Sequence, residues 1–297
     1  MNAGEKVFWY RVSEEISRVE GDLFEGQPLT RVSGGSINRA TRLGDRRRDR
    51  HYFVKWQSAE FAANFAAEAW GLNRLAATKT VAVPRPICHG TAAGNAFLAL
   101  EWLDLAAPSS GSWQRLGQGL AALHRVPVGT RFGMERDNFI GATPQLNPLS
   151  SSWATFFLHH RLDFQVALAR RNGMDFPRYQ RLREVVPALL GSRKTPSLLH
   201  GDLWSGNAAF TRNGVPVLFD AAVYWGDAEV DLAMSRLFGG FPEEFYRAYE
   251  EILPMAGGCR RRQKLYNLYH ILNHFNLFGG AYGLRADRLM AELLAES

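Results

Sequence analysis

The chain changes its hydrophobic pattern about a third of the way along its length. Before residue 103, short apolar segments separated by Gly, Pro and Asn are typical of strands, as at 52–56 and 96–100. After that point apolar residues recur at helical spacing in long segments, with only two short strand-like interruptions. The pattern predicts an α+β protein with a small β-rich N-terminal lobe, residues 1–103, and a larger, mainly helical C-terminal lobe, residues 104–297.

Periodicity also predicts where the individual elements lie. Strands are expected at 29–32, 40–43, 52–56, 96–100, 197–199 and 215–219. Helices are expected at 6–20, 60–77, 112–125, 152–172, 176–190, 228–238, 242–252, 259–278 and 285–295.

Composition and charge narrow the class of protein. Hydrophobic residues make up 46% of the chain, which is ample for a packed core, and the net charge is +6. Basic residues are densest at Arg46, Arg47, Arg48 and Arg50, between two predicted strands. Such a cluster is either a nucleic-acid-binding surface or a solvated hairpin turn. Its position between strands favours the turn, so we expect no nucleic acid as a partner.

Cysteine content and the N-terminal sequence bear on the cellular compartment. Cys88 and Cys259 are the only cysteines, which argues against a disulfide scaffold. Residues 1–10 have no apolar segment typical of a signal peptide, and no apolar run is long enough to span a membrane. We therefore expect a soluble cytoplasmic protein without a membrane partner, and a monomer is favoured.

The segment after the predicted strand 197–199 has the strongest chemical pattern. His200, Asp202 and Asn207 have the His-x-Asp-x4-Asn spacing of a kinase catalytic loop. In that interpretation Asp202 accepts the proton of a substrate hydroxyl, Asn207 binds Mg²⁺ through its amide oxygen, and His200 holds the loop by hydrogen bonds. The alternative is an ordinary polar turn after a strand, since three specified residues also match by chance.

Three further residues turn this spacing match into a predicted ATP–Mg²⁺ site. Asp220 ends an apolar strand shortly after the loop, where a kinase has its second metal ligand. Lys55 lies inside an apolar strand, where an ammonium group needs a partner, and Glu68 follows on the next predicted helix. Together they predict the ion pair that positions the ATP phosphates. Taken singly, Lys55 and Glu68 are better explained as solvated side chains, and Asp220 is equally typical of a residue that opens a turn after a strand.

Two weaker assignments complete the nucleotide site. Gly34, Gly35 and Ser36 lie in a turn between the first two predicted strands, where backbone N–H groups are suited to cover a phosphate. Glu101 and Leu103 follow the last N-terminal strand, and by position they would form the hinge whose backbone meets adenine.

The residues around the predicted loop favour a small acceptor. Gly201 stands where a regulated protein kinase has an arginine that serves a phosphorylated activation loop. Ala221 and Ala222 follow Asp220, and a helix is expected from residue 228, which leaves no room for a long peptide-binding loop. The acceptor hydroxyl is therefore expected on a small molecule or on a modified side chain.

Longer motifs resemble a known family, the fructosamine (ketosamine) 3-kinases, which belong with aminoglycoside and choline kinases to the protein-kinase-like superfamily. The resemblance rests on LHGDLWSGN at 199–207, FDAAVYWGDAEVDLA at 219–233, LNHFNLFG at 272–279 and DNFIGATPQ at 137–145. It implies ATP- and Mg²⁺-dependent phosphorylation of a ketosamine at its 3-hydroxyl, free or protein-bound. It also implies that the product releases the free amine, so that the activity repairs glycated amines.

The resemblance carries the same roles onto the matching positions, with Asp202 as base, Asn207 and Asp220 as metal ligands, and Lys55 with Glu68 as phosphate clamp. Ser36 stands where many relatives have a redox-sensitive cysteine, so no disulfide switch is expected. Two alternatives stay open: a kinase of another small acceptor, such as an aminoglycoside or a choline-like amine, and an inactive nucleotide-binding protein.

Three other residues near these motifs are open to more than one interpretation. Trp204 either stacks on the sugar or packs the loop. Asp231 is expected to bond the catalytic loop rather than to react. His274 is expected to be a packed, hydrogen-bonded histidine rather than a catalytic one.

Overall fold

The computed structural model describes residues 1–32, 38–45, 48–192 and 195–296. The predicted phosphate-covering turn at Gly34, Gly35 and Ser36 lies outside the described residues, as do Arg46 and Arg47 of the basic cluster. Of that cluster, Arg48 and Arg50 form ion pairs with Asp22.

The described residues form α-helices and β-strands with the following bounds. The helices are α1 Ala3–Glu20, α2 Ala62–Ala77, α3 Ser112–His124, α4 Trp153–Phe157, α5 Phe164–Arg171, α6 Tyr179–Leu190, α7 Glu229–Leu237, α8 Glu243–Glu250, α9 Cys259–Phe278 and α10 Ala281–Ala295. The strands are β1 Gln27–Val32, β2 Arg39–Asp45, β3 Arg50–Ser58, β4 Pro86–Ala92, β5 Asn95–Glu101, β6 Leu105–Ala106, β7 Asn138–Ile140, β8 Thr143–Gln145, β9 Ser197–Leu199, β10 Ala208–Thr211, β11 Pro216–Leu218 and β12 Tyr224–Gly226. The mixed α+β fold class expected from the sequence is confirmed.

Residue contacts divide the chain into two compact units. The first comprises Met1–Ser109 with Ala209–Asp220, and the second comprises Ser110–Ala208 with Ala221–Ser297. Segment 209–220 joins the first unit because β10 pairs with β6. The lobe boundary at residue 103 stays a prediction. The residue contacts show in addition that segment 209–220, which ends at Asp220, belongs to the first unit.

The first unit is built on an antiparallel sheet with strand order β1-β2-β3-β5-β4. Directly opposed residues share a face of such a sheet, so Lys55 of β3 faces the same side as its partners Ala40 and Leu98. Val54 and Ala99 face the other side, where they join an apolar cluster. The register therefore separates one core face from one face that carries Lys55.

Helix α1 covers the core face of this sheet. Its N-terminus is fixed by a capping box, in which Asn2 and Glu5 exchange side-chain to backbone hydrogen bonds at 2.9 and 3.0 Å. Its apolar residues Phe8, Val12 and Ile16 recur at helical spacing and are buried in the cluster. Helix α1 therefore lies on the face of the sheet opposite to Lys55.

The second unit is a helical assembly around α9. Helix α9 packs against α7, α10 and α5, and α3 packs against α8. Helix α3 approaches α8 closely at Gly117, where a Cβ would lie 2.2 Å from the Phe245 carbonyl oxygen, so the absence of a side chain permits this packing. Tyr266 and Tyr269 of α9 are buried, as expected of core aromatics. Within the described part of the chain, no helix combines the length and apolarity that crossing a bilayer requires.

Candidate active site

In the first unit, Lys55 is the centre of a buried ion cluster. Its side chain is 7% exposed, and its Nζ donates to Glu68 Oε1 at 2.6 Å and to Asp220 Oδ1. Glu68 comes from α2, while Asp220 follows β11 and is 165 residues away along the chain. The ion pair expected between Lys55 and Glu68 is present, and Asp220 is its third member.

The cluster determines the charge of the lysine. Burial disfavours the ammonium form, but the Asp220 and Glu68 carboxylates outweigh burial and hold the pKa of Lys55 above its ordinary value. Burial raises the pKa of Glu68, and the Lys55 ammonium opposes that rise. Lys55 is therefore a fixed positive charge at neutral pH, which is the property that a phosphate-binding group needs.

Asp220 is held in an uncommon backbone conformation. Its φ is 55°, in the left-handed region that residues other than glycine seldom adopt. The preceding strand β11 is anchored by a hydrogen bond from Leu218 N–H to the Ala82 carbonyl at 2.9 Å. The side chain of Asp220 is 42% exposed, so Lys55 does not enclose its carboxylate. Strain of this kind often persists where a side chain must be aimed at a ligand.

The predicted hinge residues lie at the end of the main sheet. Glu101 is the last residue of β5, and its carboxylate accepts a hydrogen bond from the Arg85 backbone N–H at 2.7 Å. The Glu101 N–H in turn donates to the Arg85 carbonyl at 2.9 Å. Leu103 follows, partly buried, before β6. These contacts fix the backbone at Glu101. A contact between the backbone of this segment and adenine stays a prediction.

In the second unit, the loop that is predicted to be catalytic, residues 200–207, follows β9 and is anchored by Asp231 of α7. Asp231 is fully buried, and its carboxylate accepts from the backbone N–H groups of His200 at 2.8 Å and Gly201 at 2.9 Å. Burial opposes ionisation of Asp231, but its hydrogen bond with His124 and the nearby charges outweigh burial and lower its pKa. The expectation that Asp231 bonds the loop is confirmed.

A histidine extends this anchor into the helical core. His124 of α3 is buried, with Nε2 3.1 Å from Asp231 Oδ2 and Nδ1 2.8 Å from the Tyr249 hydroxyl. Since a carboxylate only accepts, Nε2 carries the proton in this pair, and the hydrogen bond between Nδ1 and the Tyr249 hydroxyl joins the ring to α8. Sequence reasoning missed both His124 and Tyr249, because no spacing pattern links residues of α3 and α8 to a loop some 80 residues from His124.

Gly201 is required by the backbone of the loop. Its φ is 85°, and a Cβ at this position would lie 2.0 Å from the Ala222 carbonyl oxygen. Ala222 N–H also donates to the His200 carbonyl at 2.8 Å, which fixes the two segments against each other. The loop conformation is thus a sufficient reason for a glycine at the position where a regulated protein kinase carries an arginine.

Asp202 and Asn207 are joined directly. The Nδ2 of Asn207 donates to the Asp202 carbonyl at 2.9 Å and to the Asp202 carboxylate at 3.0 Å. Asn207 is buried, while Asp202 is partly exposed. The side-chain nitrogen of Asn207 is thus engaged with Asp202, and the side-chain oxygen of Asn207 takes no part in these two hydrogen bonds. His200 supports the loop as expected, because its Nδ1 accepts from the Asp202 backbone N–H at 3.3 Å.

The donor chemistry of these residues fits a magnesium ion. Mg²⁺ prefers hard oxygen ligands and is usually held by one or two protein oxygens together with substrate phosphates. Asp220 offers a carboxylate and Asn207 an amide oxygen, both of that type. Among the described residues, no group of three or more His, Cys, Asp or Glu is placed to hold a metal by itself.

Two aromatic residues near the loop have defined contacts. Trp204 packs edge-on against Phe238, with ring centroids 5.9 Å apart, and it stays partly exposed. Packing against the protein is therefore present, and stacking on a sugar remains a prediction. His274 Nδ1 lies 2.8 Å from the His270 carbonyl, and the ring contacts Phe238, as expected of a packed, hydrogen-bonded histidine.

These features place the protein in the protein-kinase-like phosphotransferases: a β-sheet unit with a buried lysine–carboxylate cluster and a helical unit with an Asp–Asn loop. The family model for fructosamine kinase matches residues 8–296. The chain therefore belongs to the fructosamine kinase family, as its motifs indicate, and is an ATP-dependent phosphotransferase.

Individual relatives agree over nearly the whole length. A "Probable ketoamine kinase" of Synechocystis is 50% identical over 287 residues, which is 96% of this chain and 97% of that protein. The chloroplastic "Protein-ribulosamine 3-kinase" of Arabidopsis thaliana is 38% identical over 93% of this chain and 85% of that protein. The crystal structure of "Putative fructosamine-3-kinase" from Haemophilus somnus superposes with a TM-score of 0.92 at 28% identity, covering 99% of this chain and 100% of that one.

Proposed function

We propose that this protein transfers the γ-phosphoryl group of ATP to the 3-hydroxyl of a ketosamine, either a fructosamine or a ribulosamine, free or protein-bound. The class of acceptor is supported by the names of its relatives, which include a ketoamine kinase and a ribulosamine 3-kinase. The chemistry rests on one observation above all. Asp202 and Asn207 are bonded to each other on a loop that buried Asp231 fixes, so a base and a metal ligand are held in one rigid element.

Asp202 acts on the acceptor in this proposal. The 3-hydroxyl oxygen attacks the γ-phosphorus, the bond from that phosphorus to the bridging oxygen breaks, and ADP leaves. The hydroxyl proton passes to the Asp202 carboxylate. The Asn207 amide donates to the same carboxylate, which limits its rotation and directs it.

Lys55 and its partners act on the nucleotide. The Lys55 ammonium is charged at neutral pH, and we assign it to the α- and β-phosphates of ATP. Glu68 holds Lys55 at 2.6 Å, so the cation is positioned before ATP arrives. Asp220 and Asn207 are the proposed ligands of Mg²⁺, which when bound neutralises charge on the β- and γ-phosphates.

The proposed product accounts for a repair role. Phosphate at C3 is a leaving group next to the C2 carbonyl of the sugar. After enolisation towards C1, the C3–O bond breaks, inorganic phosphate leaves, and hydrolysis frees the amine. A kinase that places phosphate at this carbon therefore makes a glycated amine labile.

A panel of acceptors tests the proposal. The purified protein is incubated with ATP, Mg²⁺ and fructose-lysine, ribulose-lysine, an aminoglycoside or choline, and ADP formation is followed. We expect turnover with the ketoamines, phosphate on O3 by ³¹P and ¹³C NMR, and delayed release of lysine. Turnover with an aminoglycoside or choline alone would replace the ketosamine assignment, and no turnover with any acceptor would refute it.

A variant separates chemistry from binding. Asp202→Asn should lower kcat by roughly 10²- to 10⁴-fold, because it removes the proton acceptor. ATP affinity, measured by calorimetry, should change little. Asp175→Asn, which alters an exposed carboxylate of the same unit paired with Arg170, is the matched control and should retain full kcat. A mild effect of Asp202→Asn would exclude it as the base.

A further inference from the structure

A groove of about 630 Å³ lies in the second unit, between the end of α7 and helices α9 and α10. Its walls combine apolar side chains with three cations and one carboxylate, among them Leu237, Tyr282, Lys264, Arg285, Arg288 and Glu292. Such a lining suits a ligand with an aliphatic part and a negative charge.

The two arginines carry the available positive charge of the groove. Lys264 is offset by Glu292, 3.4 Å away, and by Glu296. Arg285 and Arg288 are exposed and one helical turn apart on α10. Arg285 donates only weakly to the Leu237 carbonyl, at 3.4 Å. No ion pair within the described ranges joins either arginine to a carboxylate, so both guanidinium groups are available to a ligand.

An aromatic row connects this groove to the catalytic loop within the same unit. Trp204 lies two residues after Asp202 and contacts Phe238 at 5.9 Å between ring centroids. Phe238 adjoins Leu237 of the groove wall, and the Arg285 guanidinium lies 5.8 Å from its ring centroid. His274 links Phe238 to Tyr282 of the groove at 4.7 and 5.2 Å. The groove thus begins one aromatic ring away from the loop.

We propose that Arg285 and Arg288 bind the α-carboxylate of a free glycated lysine, an inference that rests on the proposed function. The carboxylate carbon is separated from C3 of the sugar by nine bonds, ~11 Å when extended. The Trp204 ring and the Arg285 guanidinium lie 5.9 and 5.8 Å from the Phe238 ring centroid, so at most about 12 Å separates them, which such a ligand can span. The aliphatic lysine stem would lie along the apolar wall, and the planar guanidinium groups pair with the carboxylate. The groove therefore favours free glycated lysine over the same group within a peptide, where the α-carboxylate is an amide.

The test compares fructose-lysine with its α-carboxamide, which differs only in charge at that end. For the native protein we expect kcat/KM to be about three- to tenfold higher for the carboxylate, the range for an exposed ion pair or two. Arg288→Gln should bring this ratio towards one, and raising the ionic strength should do the same. Arg171→Gln, which removes a charge from an exposed site at the end of α5, is the matched control and should keep the ratio.

The outcomes distinguish this inference from the proposed function. Equal kcat/KM for the carboxylate and the carboxamide would refute the groove assignment while leaving ketosamine phosphorylation intact. Failure to phosphorylate either compound would refute the proposed function itself. A glycated peptide with an acidic neighbour forms a third arm. If Arg288→Gln lowers kcat/KM for that peptide and not for free fructose-lysine, the α-carboxylate assignment is overturned. Since Arg288 is exposed, thermal unfolding of the variant should match that of the native protein.

Discussion

Replacing Asp231 with asparagine should both destabilise the second unit and disturb the loop that carries Asp202, the proposed base. The carboxylate oxygen Oδ2 accepts from His200 N–H and His124 Nε2, and Oδ1 accepts from Gly201 N–H. An amide must replace one of these oxygens by an NH₂ group, which cannot accept. The less damaging orientation puts the NH₂ group opposite Gly201, because that choice loses one bond rather than two.

The magnitude follows from burial. One buried donor loses a bond to a charged acceptor, at a cost of about 1.5–3 kcal/mol, and the two remaining bonds become neutral ones. We therefore expect Asp231→Asn to lower the free energy of unfolding by roughly 2–4 kcal/mol, measured by urea denaturation at pH 7. Because the same bonds fix the loop that carries Asp202, kcat should also fall.

Acid titration gives an independent check. The pKa of Asp231 is lowered in the folded protein, so its contribution is present above the ordinary aspartate range and is lost as pH falls through the lowered value. The variant should lack this part of the acid dependence. Asp175→Asn, an exposed carboxylate paired with Arg170, should change the free energy of unfolding by no more than about 1 kcal/mol. A loss below 1 kcal/mol for Asp231→Asn would refute the anchoring role.

Three further substitutions test separate parts of the site. Lys55→Met removes the buried cation, so calorimetry should show ATP affinity at least ~10-fold weaker, and unchanged affinity would exclude the phosphate clamp. Asn207→Leu removes the proposed amide ligand, so half-maximal activity should need about tenfold more Mg²⁺, and an unaltered requirement would contradict the ligand role. His270→Phe tests burial: the pKa of His270 is lowered to about 3, so between pH 6.5 and 3 the unfolded chain binds a proton that the folded chain does not. From this group the native protein should lose up to ~1.4 kcal/mol of unfolding free energy per pH unit in that window. The variant should lose less in urea denaturation. Equal slopes of the unfolding free energy against pH for the two proteins would contradict the lowered pKa of His270.

Much of the fold was predictable because hydrophobic periodicity is a local property. The helix expected at 259–278 has those bounds, and the strand at 52–56 forms the centre of β3. Strand β4 was not among the predicted strands, and it begins with a proline. The structure puts Pro86 first in an edge strand, the position where a missing N–H costs least.

Other differences have equally local causes. The helix expected over 152–172 is divided by a π-helical segment, Leu158–Asp163, within which Arg161 is fully buried and donates to the Leu146 carbonyl. Strands β6, β7, β8, β10 and β12 have only two to four residues each, too few for a period to show.

The candidate site also has parts that the sequence predicts and parts that it does not. A lysine in an apolar strand requires a partner, so the pair of Lys55 with Glu68 could be predicted from the sequence. The third member of that cluster, Asp220, depends on the return of segment 209–220 to the first unit, which no local pattern encodes. His124 and Tyr249 were likewise beyond prediction, because their link to Asp231 exists only once α3 and α8 pack.

The left-handed backbone of Asp220 sets two contributions to stability against each other at one position. A residue with a Cβ adopts a φ of 55° at a cost of order 1 kcal/mol, which glycine does not incur and asparagine incurs least. Asp220→Gly would relieve that strain and remove an acidic neighbour of buried Glu68, but it would also remove a carboxylate partner of the buried Lys55 ammonium and a proposed metal ligand. The backbone cost is therefore incurred for the sake of the carboxylate, and a laboratory screen that rewards only folding or expression would not test the part of Asp220 in phosphate transfer.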